Sequence, residues 1–194
     1  MNATWIEQTE AFLKQKLDSG AYLNANPQAK AYRLVHSYRV ANIGRQIARM
    51  EGFDETEMAI ACLLHDISYC EEFGENGWKE HGRRSAAIAR PFLIGLGLAE
   101  DRIADICYGI AIHVDDEADF PGERTPFALS VGDADNIDRF DAYRIHETLS
   151  HDKFLELPMG TRAAAALWRE RVGFYLTFFE KLSAQLSASV EIAE

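Results

Sequence analysis

The sequence predicts an all-α fold, a single helical bundle spanning residues 1–194. Three observations predict it. Apolar residues recur at three- and four-residue spacing along most of the chain, and strand-like alternation is nearly absent. Apolar residues make up 47% of the composition, enough to fill a core in a chain of this length. The five prolines are dispersed, with no repeat, linker or low-complexity tract to divide the chain.

The elements follow in order. Residues 3–18 carry an amphipathic pattern that stops near Ser19-Gly20, and Asn24-Ala25-Asn26-Pro27 reads as a loop. A long helix is expected from about Gln28 to Met50, closed by Gly52. Asp54 with Glu57 resembles a capping box, opening a helix that reaches His65-Asp66. Glu71 to Gly77 is polar and reads as a loop. A helix over about 79–96 follows, with Pro91 expected to kink or break it and Gly95 and Gly97 to close it. Another runs from about Glu100 to Val114, followed by the acidic loop "DDEADFPGER". Thr125-Pro126 pairs an N-cap with proline at the first helical position, ahead of the helix carrying "GDADNIDRF". Pro158 opens a last helix to about Ser187, whose stretch "WRERVGFYLTFFEKL" reads as core or as a homodimer face.

Composition narrows the function. The formal net charge of −11 disfavours binding a nucleic acid polymer, which needs a basic surface. An anionic small molecule would need a local positive cluster or a metal to offset that field. No apolar run approaches the roughly 18 residues of a membrane span. The start "MNATWIEQTE" lacks the basic and apolar regions of a signal peptide. Cys62, Cys70 and Cys107 form neither an even framework nor a C-x-x-C pair. Together these features lead us to expect a cytoplasmic chain without a membrane partner.

Helical geometry turns the histidines into a site. His36 shares a face with Val40, Ile43 and Ile47; His65 with Met58, Ala61 and Cys62. His81 lines up with Ser85, Ile88 and Phe92, and His113 with Ile103, Ile106 and Ile110. A single inward histidine is commonly a core residue bonded to a carbonyl. Four from four helices each demand a partner, and a shared metal satisfies several at once. Asp66 follows His65 directly, so the two diverge by about 100° on a helix, yet both can reach one ion near its end. Cys62 reads as core, His146 and His151 as surface, and Glu71 and Glu72 as solvated.

The ordered motifs "HSYRVANIGRQIA", "LLHDI", "EHGRRSAAIA", "IAIHV" and "VGDADNID" resemble the HD superfamily of metal-dependent phosphohydrolases. The resemblance covers about residues 30–145, leaving a C-terminal helical extension. It implies a helical-bundle fold and a metal held by His36, His65, Asp66 and Asp133. In "DADNID" the periodicity does not choose among Asp133, Asp135 and Asp138, and Asp138 lies nearest the Phe127/Val131/Ala134 stripe; the family pattern favours Asp133. Such a mixed N/O set suits Mn, Fe, Co, Ni or Zn better than a pure Mg or Ca cage, with Mg still admissible and one or two ions in play.

The activity implied is hydrolysis of a phosphoester or phosphoanhydride in a small phosphorylated compound, a nucleotide above others, by metal-activated water. Asp66 would orient the water. His81 and His113 would bind a second metal, or contact the phosphate and protonate the leaving group; the second role is preferred because no further carboxylate joins them as a bridge. Arg39, Lys79 and Arg84 are the candidate substrate-binding cations. Two rival readings share the scaffold: a di-iron oxygenase using four histidines and two aspartates, and a non-catalytic nucleotide-binding module.

Overall fold

The computed structural model describes residues 4–73, 77–114, 119–138 and 173–181. All regular structure among them is helical. Where one domain was expected, the chain divides into two compact units, Met1–Asp138 and Arg139–Glu194. In the second unit residues 173–181 are helical; the rest of the expected last helix lies outside the described residues.

The first unit begins with α1 (Trp5–Ser19), which starts on a reciprocal cap: the Glu7 amide donates to Thr4 Oγ1 and the Thr4 amide to Glu7 Oε2. The stretch read as a loop holds one short helix, α2 (Ala21–Ala25). Next comes α3 (Pro27–Glu51), with proline in its first turn and Gly52 at φ 80° ending it. For α4 (Glu55–Leu64), Asp54 caps the amides of Thr56 and Glu57. Short 3₁₀ segments at Ile67–Cys70 and Gly77–Glu80 lead to α5 (His81–Leu96). Then follow α6 (Glu100–Ile112) and α7 (Pro126–Asp138), where Thr125 Oγ1 accepts from the Ala128 amide.

Pro91 does not break α5. A proline removes the hydrogen bond to the carbonyl four residues back. Here both Pro91 and Ala87 face solvent, so water satisfies that carbonyl. Ala86, Ala89 and Leu93 hold the opposite face of α5 in the core.

From Met58 to Leu64, α4 is buried on every side, which makes it the central rod. It packs against α1, α3, α6 and α7; α3 also packs on α7, and α5 on α6. Two glycines set the spacing around it. A Cβ at Gly44 would stand 2.5 Å from Cys62 Sγ, so α3 approaches α4 closely only without one. At Gly82 a Cβ would stand 2.6 Å from the Ala111 carbonyl, which holds the N-terminus of α5 against the C-terminus of α6. Those two contacts bring His36 to His65 and His81 to His113.

Candidate metal centre

The four inward histidines meet at one place, and three of them are aimed by a partner on the far nitrogen. On α3, His36 Nδ1 lies 2.9 Å from Asp138 Oδ2. At the end of α4, His65 Nδ1 donates to the Cys62 carbonyl at 2.7 Å. His113, at the end of α6, does the same to the Ile110 carbonyl at 2.7 Å. These bonds turn the Nε2 atoms inward, the arrangement that second-sphere partners give metal-ligating histidines. His65 and His113 also sit at helix C-termini, where the backbone dipole favours a cation.

Asp66 stands between two groups of these atoms. It leaves the helix at φ −107°, ψ 13°, and this break frees its side chain from the divergence expected of adjacent helical residues. Asp66 Oδ2 lies 3.5 Å from His36 Nε2 and 3.6 Å from His65 Nε2. Its other oxygen, Oδ1, lies 3.3 Å from His81 Nε2 and 3.5 Å from His113 Nε2. His36 and His65 approach each other at 3.2 Å, His81 and His113 at 3.0 Å. Within each triad the donor atoms lie within 4.8 Å of one another, and all five participating side chains are buried.

The final carboxylate corrects the sequence expectation. Asp133 is exposed; it lines a cavity of about 450 Å³ with Ile112, Val114, Arg124, Leu129 and Asn136. In its place Asp135 is buried, with Oδ1 3.2 Å from His36 Nε2 and 3.8 Å from His65 Nε2. The reason is periodicity: residues 128, 131, 135 and 138 share the buried face of α7, and residue 133 lies across the helix from them. Asp138, fully buried, takes a third role by bonding His36 Nδ1 and accepting Arg39 Nε at 2.7 Å and Nη2 at 3.0 Å.

Arg39 is thereby paired with Asp138, the partner of His36 Nδ1. Lys79 is exposed, and Arg84 lies 3.8 Å from Glu71. The cation in contact with the centre is one the sequence reading passed over. Arg33 Nη1 donates to Asp66 Oδ2 at 2.7 Å, and its Cζ sits 3.4 Å above the centroid of the Tyr69 ring. Its signal was available, since Arg33 precedes His36 by three residues on one helix face. Cys62 is core, Glu71 and Glu72 are exposed, and His146 and His151 lie outside the described residues.

The charges are strongly coupled. Burial disfavours a charged His36, but hydrogen bonds to Asp135, Asp138 and Asp66 outweigh it and raise its pKa to about 10. Burial dominates at His65 and lowers its pKa to about 4, so this ring is neutral at neutral pH. Burial also opposes charge on Asp66, yet His65 and the bonds from His113, His36 and His81 hold it well below the usual carboxylate range. Asp135 is lowered too, against burial, chiefly by its bond to His36. The metal-free centre therefore holds a proton on His36 Nε2, facing the atoms that would surround an ion. With that proton displaced, the buried imidazole and carboxylate donors of each triad could hold a divalent metal.

The HD domain family model matches residues 33–143. A crystal structure of a predicted HD superfamily hydrolase from an uncultured Thermotogales bacterium is similar with a TM-score of 0.55 and 20% identity, over 91% of this chain and 92% of that one. At that identity the likeness is one of fold. No curated protein matches the chain.

Proposed function

The chain belongs to the HD-domain family, and on that premise we propose that it is a metal-dependent phosphohydrolase acting on a phosphoester or phosphoanhydride of a small compound of the nucleotide class. One observation carries the reading: a single buried carboxylate, Asp66, turns one oxygen to the His36/His65 pair and the other to the His81/His113 pair. The bridge, whose apparent absence favoured a phosphate-contact role for His81 and His113, would be supplied by the doublet's own aspartate. We therefore assign two divalent positions, His36, His65, Asp66 and Asp135 to the first, Asp66, His81 and His113 to the second. Bound ions would supply an activated water near neutral pH and an electrophilic pull on the phosphorus.

The chain's residues supply the rest. Asp138 and Arg39 hold the ring of His36 in register. Arg33, not Arg39, offers its remaining N–H groups to phosphate oxygens, a planar fork held flat against Tyr69. It places positive charge where a chain of net charge −11 would otherwise repel the substrate.

Elemental analysis of purified protein, followed by phosphate release from nucleoside and sugar phosphates with Mn, Co, Fe, Ni, Zn or Mg, tests this. Release that disappears in Asp66→Ala is expected. Full metal content and turnover in that variant would refute the site. The same four histidines and two aspartates also match the donor set of a di-iron oxygenase. Tightly bound iron with substrate-dependent oxygen uptake, and no phosphate release, would move the reading there.

A further inference from the structure

Resting on the phosphohydrolase reading, we propose that Phe73, braced edge to face by Tyr69, forms the platform on which a planar aromatic part of the substrate stacks. The centre would then select aromatic-bearing phosphate esters over those of plain sugars. The segment after Asp66 is acidic and polar, with Glu71 and Glu72 exposed, yet it carries an aromatic ring at Phe73. That ring is only partly buried and does not pack into the hydrophobic core.

Its neighbours belong to the site. Phe73 meets Tyr69 edge to face, with centroids 5.0 Å apart and an interplanar angle of 87°. Both rings stand beside His81, at 5.1 Å for Tyr69 and 6.4 Å for Phe73. Arg33 lies between Tyr69, at 3.4 Å, and Tyr32, at 5.5 Å, while Arg84 lies 5.5 Å from the Phe73 centroid. Aromatic faces alternating with guanidinium planes bind π-systems of any base identity, because every base has a face to stack. The collar borders the second triad, so a phosphate at the centre would bring an attached planar group within reach of Phe73.

The test compares adenosine 5′-monophosphate with ribose 5-phosphate, which differ by the base alone. Dissociation constants are measured by calorimetry on Mn-loaded full-length protein. Wild type is expected to bind the nucleotide more tightly. Phe73→Ala should weaken nucleotide binding by roughly 5- to 100-fold while changing ribose 5-phosphate less than about twofold. Phe73→Trp should retain the preference, which separates stacking from damage to the fold. Equal binding of both ligands to wild type, equal losses in Phe73→Ala, or no binding of either would overturn the platform. Phosphate release from the same samples is scored separately, so binding discrimination without turnover would sink the hydrolase reading and leave the platform standing.

Discussion

Filling the first metal position should expel a proton, and the structure says which one. His36 Nε2 lies 3.2 Å from Asp135 Oδ1, 3.2 Å from His65 Nε2 and 3.5 Å from Asp66 Oδ2. With a pKa of about 10 in the metal-free protein, His36 carries that proton throughout the neutral range. At pH 8 about 99% of the molecules hold it, two units below the pKa. An ion needs the same lone pair, so the first equivalent of Mn²⁺ should release about one proton. Apparent affinity should then rise about tenfold per pH unit between pH 7 and 9, which is ~1.4 kcal/mol per unit. The slope should flatten above pH 10, where His36 is already neutral. Calorimetric titration in two buffers of different ionisation enthalpy reads the proton count directly. Heats independent of the buffer, with an affinity flat across that range, would refute the assignment of His36 as both cation and ligand.

Three further outcomes follow from the same geometry. Asp135→Asn should lower the bound metal while Asp133→Asn leaves it at the wild-type level, as elemental analysis would show; the reverse pattern would restore Asp133. Asp138→Asn should weaken metal binding by roughly 10- to 100-fold through loss of His36 orientation, and it should also lower the melting temperature because Arg39 loses a charged partner. In metal-free protein, chemical unfolding should show stability falling as pH rises. His36 is raised from 6.5 to about 10, so its contribution is complete below pH 6.5 and is lost as pH passes through about 10, at up to ~1.4 kcal/mol per unit. Asp66 and Asp138 are lowered, and their contribution runs the other way, fading only under acid.

Much of this was legible in the chain because burial and periodicity act locally. The stripes through His36, His65, His81 and His113 point inward from separate helices, and the folded protein brings all four together. Periodicity did not choose among Asp133, Asp135 and Asp138, and the motif pattern favoured Asp133; the buried face of α7 carries Asp135 and Asp138 instead. Pro91 does not interrupt α5, whose opposite face is held in the core by Ala86, Ala89 and Leu93. The dual use of Asp66 had no linear signature at all. Adjacent helical residues diverge, and only the exit from α4 at Asp66 lets one carboxylate serve two neighbours. The partnership of Asp138 with Arg39 spans 99 positions in the chain and depends on α3 lying against α7.

The exit of the chain at Asp66 ties the two histidine pairs to one vertex. Removing that carboxylate would take an oxygen from beside all four imidazoles at once, whereas removing His81 or His113 would leave His36 and His65 with theirs.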